Sequence, residues 1–212
     1  MTPRCGQIST NSLARPSTSK SKIFIVSAPS GCGKTTLCKK LLKDKLKLHQ
    51  SVSATTRPRR KGERNGADYF FMSAEEFIRM IDTKELLEYE ENFGFLYGTP
   101  KKLIEELLQK GKNVLLSIDV KGAMNVRKNY PQNSVLIFVM PPSMDELKKR
   151  LETRKADTAK SILSRLKIAK QEIAERDKYD YVVVNDSISA AYKAMKDIII
   201  LEGEKDANPR NR

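Results

Sequence analysis

Four short, largely apolar runs punctuate the chain, at positions 23–26, 114–118, 135–139 and 181–184. Runs of this length without polar alternation mark strands covered on both faces, as in a parallel sheet. Between them the pattern shifts to helical spacing. Leu37, Leu41, Leu42 and Leu46 mark one amphipathic segment. Leu103, Ile104, Leu107 and Leu108 share a face of a second, with Thr99 and Pro100 as its start signal. Ser143 followed by Glu146 predicts a capping box at the head of a third. Residues 161–176 predict a long amphipathic helix, and residues 188–201 a terminal one. Strands alternating with helices predict an α/β fold around a parallel sheet.

This rhythm breaks between about residues 53 and 98. Strand-like pieces at 69–72 and 86–90 flank one helix that starts at Ser73, with Glu76 as its capping partner. Glycines at 62, 66, 94 and 98 punctuate the segment. It reads as an inserted β-rich subdomain. Residues 143–166 are basic and helical, consistent with a mobile flap. Residues 1–21 are rich in Ser and Thr, contain Pro3 and Pro16 and lack any acidic residue, and so predict a disordered basic tail. Residues 205–212 predict a flexible C-terminal tail. No internal repeat is visible.

Charge refines this picture. The 212 residues carry a formal net charge of +14. Residues 1–22 hold +4 of it, residues 57–64 another +4 and residues 148–167 the remaining +6. The charge is thus confined to a tail and two compact segments with little aromatic interleaving. That argues against a nucleic-acid platform and suits phosphate clamps. No apolar run approaches the roughly 18 residues of a membrane span, and no secretory signal opens the chain. Cys5, Cys32 and Cys38 form neither a disulfide framework nor, with His49, a zinc site, so a reducing compartment is expected. The location expected is cytoplasmic. An acidic-poor, Ser-rich start bearing Arg4 and Arg15 leaves organelle targeting as the minority reading.

The candidate chemistry starts where the first apolar run ends. Ala28-Pro29-Ser30-Gly31-Cys32-Gly33-Lys34-Thr35 has the P-loop spacing, with Ala28 in place of its first glycine and Thr36 following. Gly31 and Gly33 let the backbone curl so that N–H groups face an anion, and the helix that follows adds its positive end. Lys34 can bridge β- and γ-phosphates, and the Thr35 hydroxyl can ligate Mg²⁺. The loop alone suits an ATPase, a GTPase, a transport motor or a kinase. The guanine-reading Asn-Lys-x-Asp of GTPases is missing, since Asn185-Asp186 lacks that spacing.

Further motifs occur in a compatible order: Ser51-Val52-Ser53-Ala54-Thr55-Thr56-Arg57, Asp68-Tyr69-Phe70-Phe71, Tyr97-Gly98-Thr99, Pro141-Pro142-Ser143 and Val184-Asn185-Asp186. Together they resemble the guanylate kinase family over about residues 22–203. The resemblance implies a P-loop three-layer α/β sandwich with a parallel core sheet. It divides the chain into a core (22–52, 99–142 and 167–204), a GMP-binding subdomain (53–98) and a small helical lid (143–166). It implies transfer of the γ-phosphate of ATP to GMP, with Mg²⁺, by a monomer or homodimer. By the same resemblance Arg57, Arg60, Tyr69 and Tyr97 hold the GMP phosphate. Ser53, Glu88, Thr99 and Asp119 read the guanine, and Asp119 joins Thr35 on the metal side. Arg150, Arg154 and Arg165 approach the ATP phosphates as catalytic partners of Lys34, and Asn185 lies near the adenine.

Elementary chemistry agrees with these roles. Two arginine forks cancel a phosphate dianion. A carboxylate such as Glu88 can accept both N1–H and N2–H₂ of guanine, and would be left unpaired against adenine. Two departures stand out. Ser117 replaces the acid usual before Asp119, and Lys155 replaces the glycine usual after Arg154. Three other readings stay open on sequence: a kinase for another nucleoside monophosphate or ribose 1,5-bisphosphate, a non-catalytic guanylate-kinase-like module, and a nucleic-acid-binding ATPase.

Overall fold

The computed structural model describes residues 21–92, 94–153 and 159–205, the last by its backbone alone. The predicted N-terminal tail up to residue 20, the C-terminal tail beyond 205, Arg154 and Lys155 lie outside the described residues. In chain order the elements are β1 (Ile23–Ser27), α1 (Lys34–Lys43), β2 (Leu48–Gln50), β3 (Ala54–Thr55), β4 (Phe70–Phe71), α2 (Ala74–Asp82), β5 (Leu86–Asn92) and β6 (Phe95–Pro100). There follow α3 (Lys101–Gln109), β7 (Asn113–Ser117), α4 (Val120–Asn129), β8 (Ser134–Met140), α5 (Met144–Glu152), α6 (Ala159–Ala174), β9 (Tyr181–Val184) and α7 (Ile188–Lys205).

The four apolar runs, joined at one edge by β2, form a five-stranded, all-parallel sheet in the order β2-β7-β1-β8-β9. In β1, β7 and β8 the lack of alternation has a simple cause, because both faces are covered; the edge strand β9 departs from the expectation, with Val182 and Val184 exposed on one face. Phe24 and Val26 of β1 point into a core shared with Leu37 and Leu41 of α1 and Met195 and Ile199 of α7. Ile23 and Ile25 point the other way, against Ile104 and Leu108 of α3 and Ala123 and Val126 of α4. The result is helix, sheet, helix: the three-layer α/β sandwich expected.

A second sheet, β4-β3-β6-β5, stands apart from the first. Its strands are short and mostly antiparallel, with β3 and β4 the parallel exception. Helix α2 closes it from one side. Its start is a complete capping box, with Ser73 and Glu76 each bonding the other's backbone N–H. Phe77 of α2 is fully buried, and a side chain on Gly98 of β6 would meet its ring at 2.9 Å.

Some local expectations shift. Pro100 caps α3 and ends β6, so it precedes the first helical turn. At α5, Ser143 accepts the Glu146 N–H, but the Glu146 carboxylate turns to Arg150 at 3.0 Å, so the box is only half formed. Helix α4 and the strands β2, β3 and β6 were not anticipated. Helix α5, the first part of the predicted lid, is packed on the core, since Leu147 and Leu151 are fully buried beneath the phosphate loop.

Phe77→Ala is expected to destabilise the protein by about 3–5 kcal/mol, the usual cost of emptying a buried phenylalanine site. Urea unfolding checks this. A loss under about 1 kcal/mol would mean that Phe77 does not support the second sheet.

Candidate active site

A cavity of about 440 Å³ opens between the two sheets, at the carboxyl ends of β1 and β7. Ligands in open parallel sheets bind at such strand ends, where neighbouring connections diverge. One wall is the phosphate loop. Gly31 and Gly33 adopt φ of +99° and +82°, a left-handed backbone that side chains disfavour. Gly33 is also the N-cap of α1 and offers no side-chain cap, so the first-turn N–H groups are left for a ligand.

The loop is braced from behind. Asn185, which is 1% exposed, donates Nδ2–H to the Cys32 carbonyl at 2.8 Å. A Cβ on Gly33 would fall 2.6 Å from that same nitrogen. The residue expected beside adenine therefore holds the loop and does not line the cavity. Arg150 likewise turns from the cavity. It bonds Glu146 and donates to the Asn185 carbonyl at 3.1 Å, tying α5 to the brace.

Lys34 points inward and donates to the Ile118 carbonyl at 2.9 Å. Burial lowers its pKa, opposed by the nearby negative potential of Cys38, Asp119, Glu172 and Glu88. Thr35 lines the same wall, while Thr36 and Cys32 do not. Asp119 caps α4 by accepting the Gly122 N–H at 2.8 Å, and its other oxygen takes the Asn92 amide at 2.5 Å. Ser117, at the end of β7, lines the cavity beside Ile118 and Asp119.

The opposite wall comes from the second sheet. Period-two alternation puts Glu88, Glu90 and Asn92 of β5 on one face, towards the cavity. Glu88 is 7% exposed and accepts the Thr99 hydroxyl. Burial pushes its pKa up to about 7 despite that bond, with Asp119 adding to the rise. A Cβ on Gly122 would sit 2.6 Å from its carboxylate, so Glu88 rests on bare backbone at the first turn of α4.

Ser53, Tyr69 and Tyr97 complete this wall. Tyr69 meets Tyr97 edge-on at 6.0 Å, and the Arg57 guanidinium lies 5.5 Å from the Tyr69 ring. Arg57 is itself 7% exposed, with Glu63 bonded to it at 2.8 Å. Glu63 also takes the backbone N–H of Arg60, whose side chain is exposed outside the cavity. From the lid side, Arg165 of α6 reaches Ser30 at 3.4 Å. Glu172 on the same helix lines the cavity too, its pKa pushed up to about 7 by burial.

The structure thus gathers Lys34, Thr35, the loop backbone, Ser53, Tyr69, Glu88, Tyr97, Asp119 and Arg165 around one space. Arg57 and Thr99 back that wall. Arg60, Thr36, Asn185 and Arg150 face elsewhere. Sequence reasoning missed Glu63, Glu90, Asn92 and Glu172. Strand alternation from Glu88 could have found Glu90 and Asn92.

A family model described as guanylate kinase matches residues 20–202. A guanylate kinase of Oceanobacillus iheyensis is 47% identical over 180 residues, covering 85% of this chain and 87% of that one. One of Clostridium acetobutylicum is 44% identical over 183 residues, covering 86% and 87%. The crystal structure of guanylate kinase from Anaplasma phagocytophilum superposes with a TM-score of 0.74 at 38% identity, covering 87% of each chain.

Gly33→Ala is expected to lower stability by about 1–3 kcal/mol, from a strained left-handed residue and the clash with Asn185. Thermal unfolding measures it. An unchanged melting temperature would mean that the loop is not held in this form.

Proposed function

The chain belongs to the guanylate kinase family, and we propose that it transfers the γ-phosphate of ATP to GMP, giving ADP and GDP, with Mg²⁺ bound beside the ATP. The observation that carries this reading is one cavity with two unlike walls. An anion-gripping loop faces a buried carboxylate, Glu88, on a separate sheet. A phosphate donor suits the first wall. A base with adjacent N–H donors suits the second, because only such a base satisfies both carboxylate oxygens.

The roles follow from position. The loop backbone and Lys34 grip the donor phosphates, and Arg165, already at Ser30, adds positive charge from α6. Tyr69, Tyr97 and Arg57 form a cationic, hydroxyl-bearing corner for the acceptor phosphate. Arg57 spends Nη2 on Glu63, and its guanidinium has further N–H donors to offer that phosphate. Ser53 and Thr99 stand beside Glu88 to complete the reading of the base. Arg60, Arg150 and Arg154 are proposed to join through movement of their segments as the site closes, which would expel water that otherwise hydrolyses ATP. No covalent intermediate is needed.

The metal fits the donor set. No group of three or more acidic, His or Cys side chains that could cage an ion occurs among the described residues. That suits Mg²⁺, which keeps water and takes most of its other ligands from phosphates. Thr35 would supply a hydroxyl, and Asp119 would act through water because its oxygens already bond Gly122 and Asn92. When bound, the ion supplies charge neutralisation on the phosphates. This function belongs to purine nucleotide metabolism and GMP recycling, and the location proposed for it is the cytoplasm.

ADP release should require GMP and not AMP, CMP, UMP or ribose 1,5-bisphosphate. Loss of that selectivity would sink the reading. Lys34→Ala should cut kcat by about 10²–10³-fold or more, and near-normal turnover would remove Lys34 from the phosphate grip. Reading guanine requires Glu88 charged, whereas its raised pKa keeps it protonated below about 7. GMP affinity should therefore fall by up to about tenfold per unit as pH drops below 7. Calorimetry should show that Glu88→Gln flattens this component, leaving only the ionisation of GMP itself. Equal pH slopes in the two proteins would remove Glu88 from base recognition.

A further inference from the structure

Helix α6 carries two residues of opposite charge into the cavity. Arg165 and Glu172 lie seven apart, on one face, about 10 Å along the helix axis from each other. Arg165 meets the front of the phosphate loop at Ser30. Glu172 sits deeper, within electrostatic reach of Lys34 and Asp119.

The three carboxylates around Lys34 differ in what they have left to offer. Asp119 has one oxygen on the Gly122 N–H and the other on Asn92. Glu88 holds the Thr99 hydroxyl and belongs to the opposite wall. Glu172 takes no side-chain hydrogen bond among the described residues. It is the uncommitted acceptor facing the place where the donor phosphates must lie.

A carboxylate there opposes an incoming triphosphate by like-charge repulsion unless a cation stands between them. Lys34 is drawn to the Ile118 carbonyl and to the phosphates themselves. The other cation is the one that accompanies the nucleotide. Mg²⁺ keeps several of its waters, and these waters need acceptors. With the reading above as its basis, we propose that Glu172 is a positioning residue for the metal–nucleotide complex. Its carboxylate accepts hydrogen bonds from the water shell of the ion and fixes that ion against the phosphate loop. Residues that act at this distance typically tune metal affinity by 10–100-fold.

The test compares the full-length wild type with Glu172→Gln and Glu172→Asp. Mn²⁺ replaces Mg²⁺ as a paramagnetic probe, and its affinity for the ATP-bound protein is read by electron paramagnetic resonance. ATP binding without metal is measured by calorimetry in chelator. Glu172→Gln is expected to weaken Mn²⁺ binding about tenfold or more, while metal-free ATP binds equally well or more tightly because a repelling charge is gone. Glu172→Asp, which keeps the charge, should retain most of the Mn²⁺ affinity. The proposal is overturned if Glu172→Gln leaves Mn²⁺ affinity within twofold. It is equally overturned if both forms of ATP weaken together, which is the mark of a packing role. GMP phosphorylation by the wild type, assayed in parallel, tests the parent function separately. Its failure would leave the Mn²⁺ comparison still decisive for Glu172.

Discussion

An ammonium group withdrawn from water at the end of β1 sets the terms for the rest of the molecule. In the proposed function Lys34 turns inward to grip a phosphate, yet a desolvated cation with no partner is costly. The protein meets this cost with a backbone carbonyl at Ile118 and with carboxylates on three different elements. Those elements are β5, the start of α4 and α6. Their acids are therefore not a loose acidic patch. They arrive from the second sheet, the core sheet and the lid side, so the same charge draws all three parts towards one point.

Topology makes that convergence possible. In the order β2-β7-β1-β8-β9, the chain leaves β1 for the outer strand β2, and β7 returns between them. The ends of β1 and β7 thus lie side by side, with Lys34 beyond one and Asp119 beyond the other. The second sheet is inserted between β2 and α3, which brings Glu88 over that same edge. Gly122 then matters for what it lacks. A side chain there would push into the Glu88 carboxylate and keep the two sheets from meeting at the site.

What could be read from the residue order follows from which physical signals are local. Both-face burial gives an uninterrupted apolar run, so the central strands were visible, and Gly33-Lys34-Thr35 after such a run was specific. Very short strands carry no such signal. Leu48–Gln50 and Ala54–Thr55 are two or three residues long and partly polar, and they pair only because neighbours are in place. The site was legible where motifs named residues, as with Glu88 and Tyr97. It was opaque where a partner far along the chain decides the role. Arg150 looked like a free lid arginine, but Asn185, thirty-five positions on, takes its guanidinium. Glu172 was not singled out within the amphipathic helix predicted over residues 161–176, because a helical pattern separates apolar from polar faces and cannot tell water from a cavity.

The carboxylate balance also accounts for tolerance of Ser117. That position lines the cavity together with Lys34. An acid there would join Asp119 and Glu172 around a single ammonium, and burial already holds the Glu172 carboxyl near neutrality. A further charge would push these groups towards their protonated forms unless a cation were bound. With a neutral residue at 117, the carboxylates facing Lys34 are those of Asp119, Glu172 and Glu88, from the head of α4, from α6 and from β5, and none comes from β7.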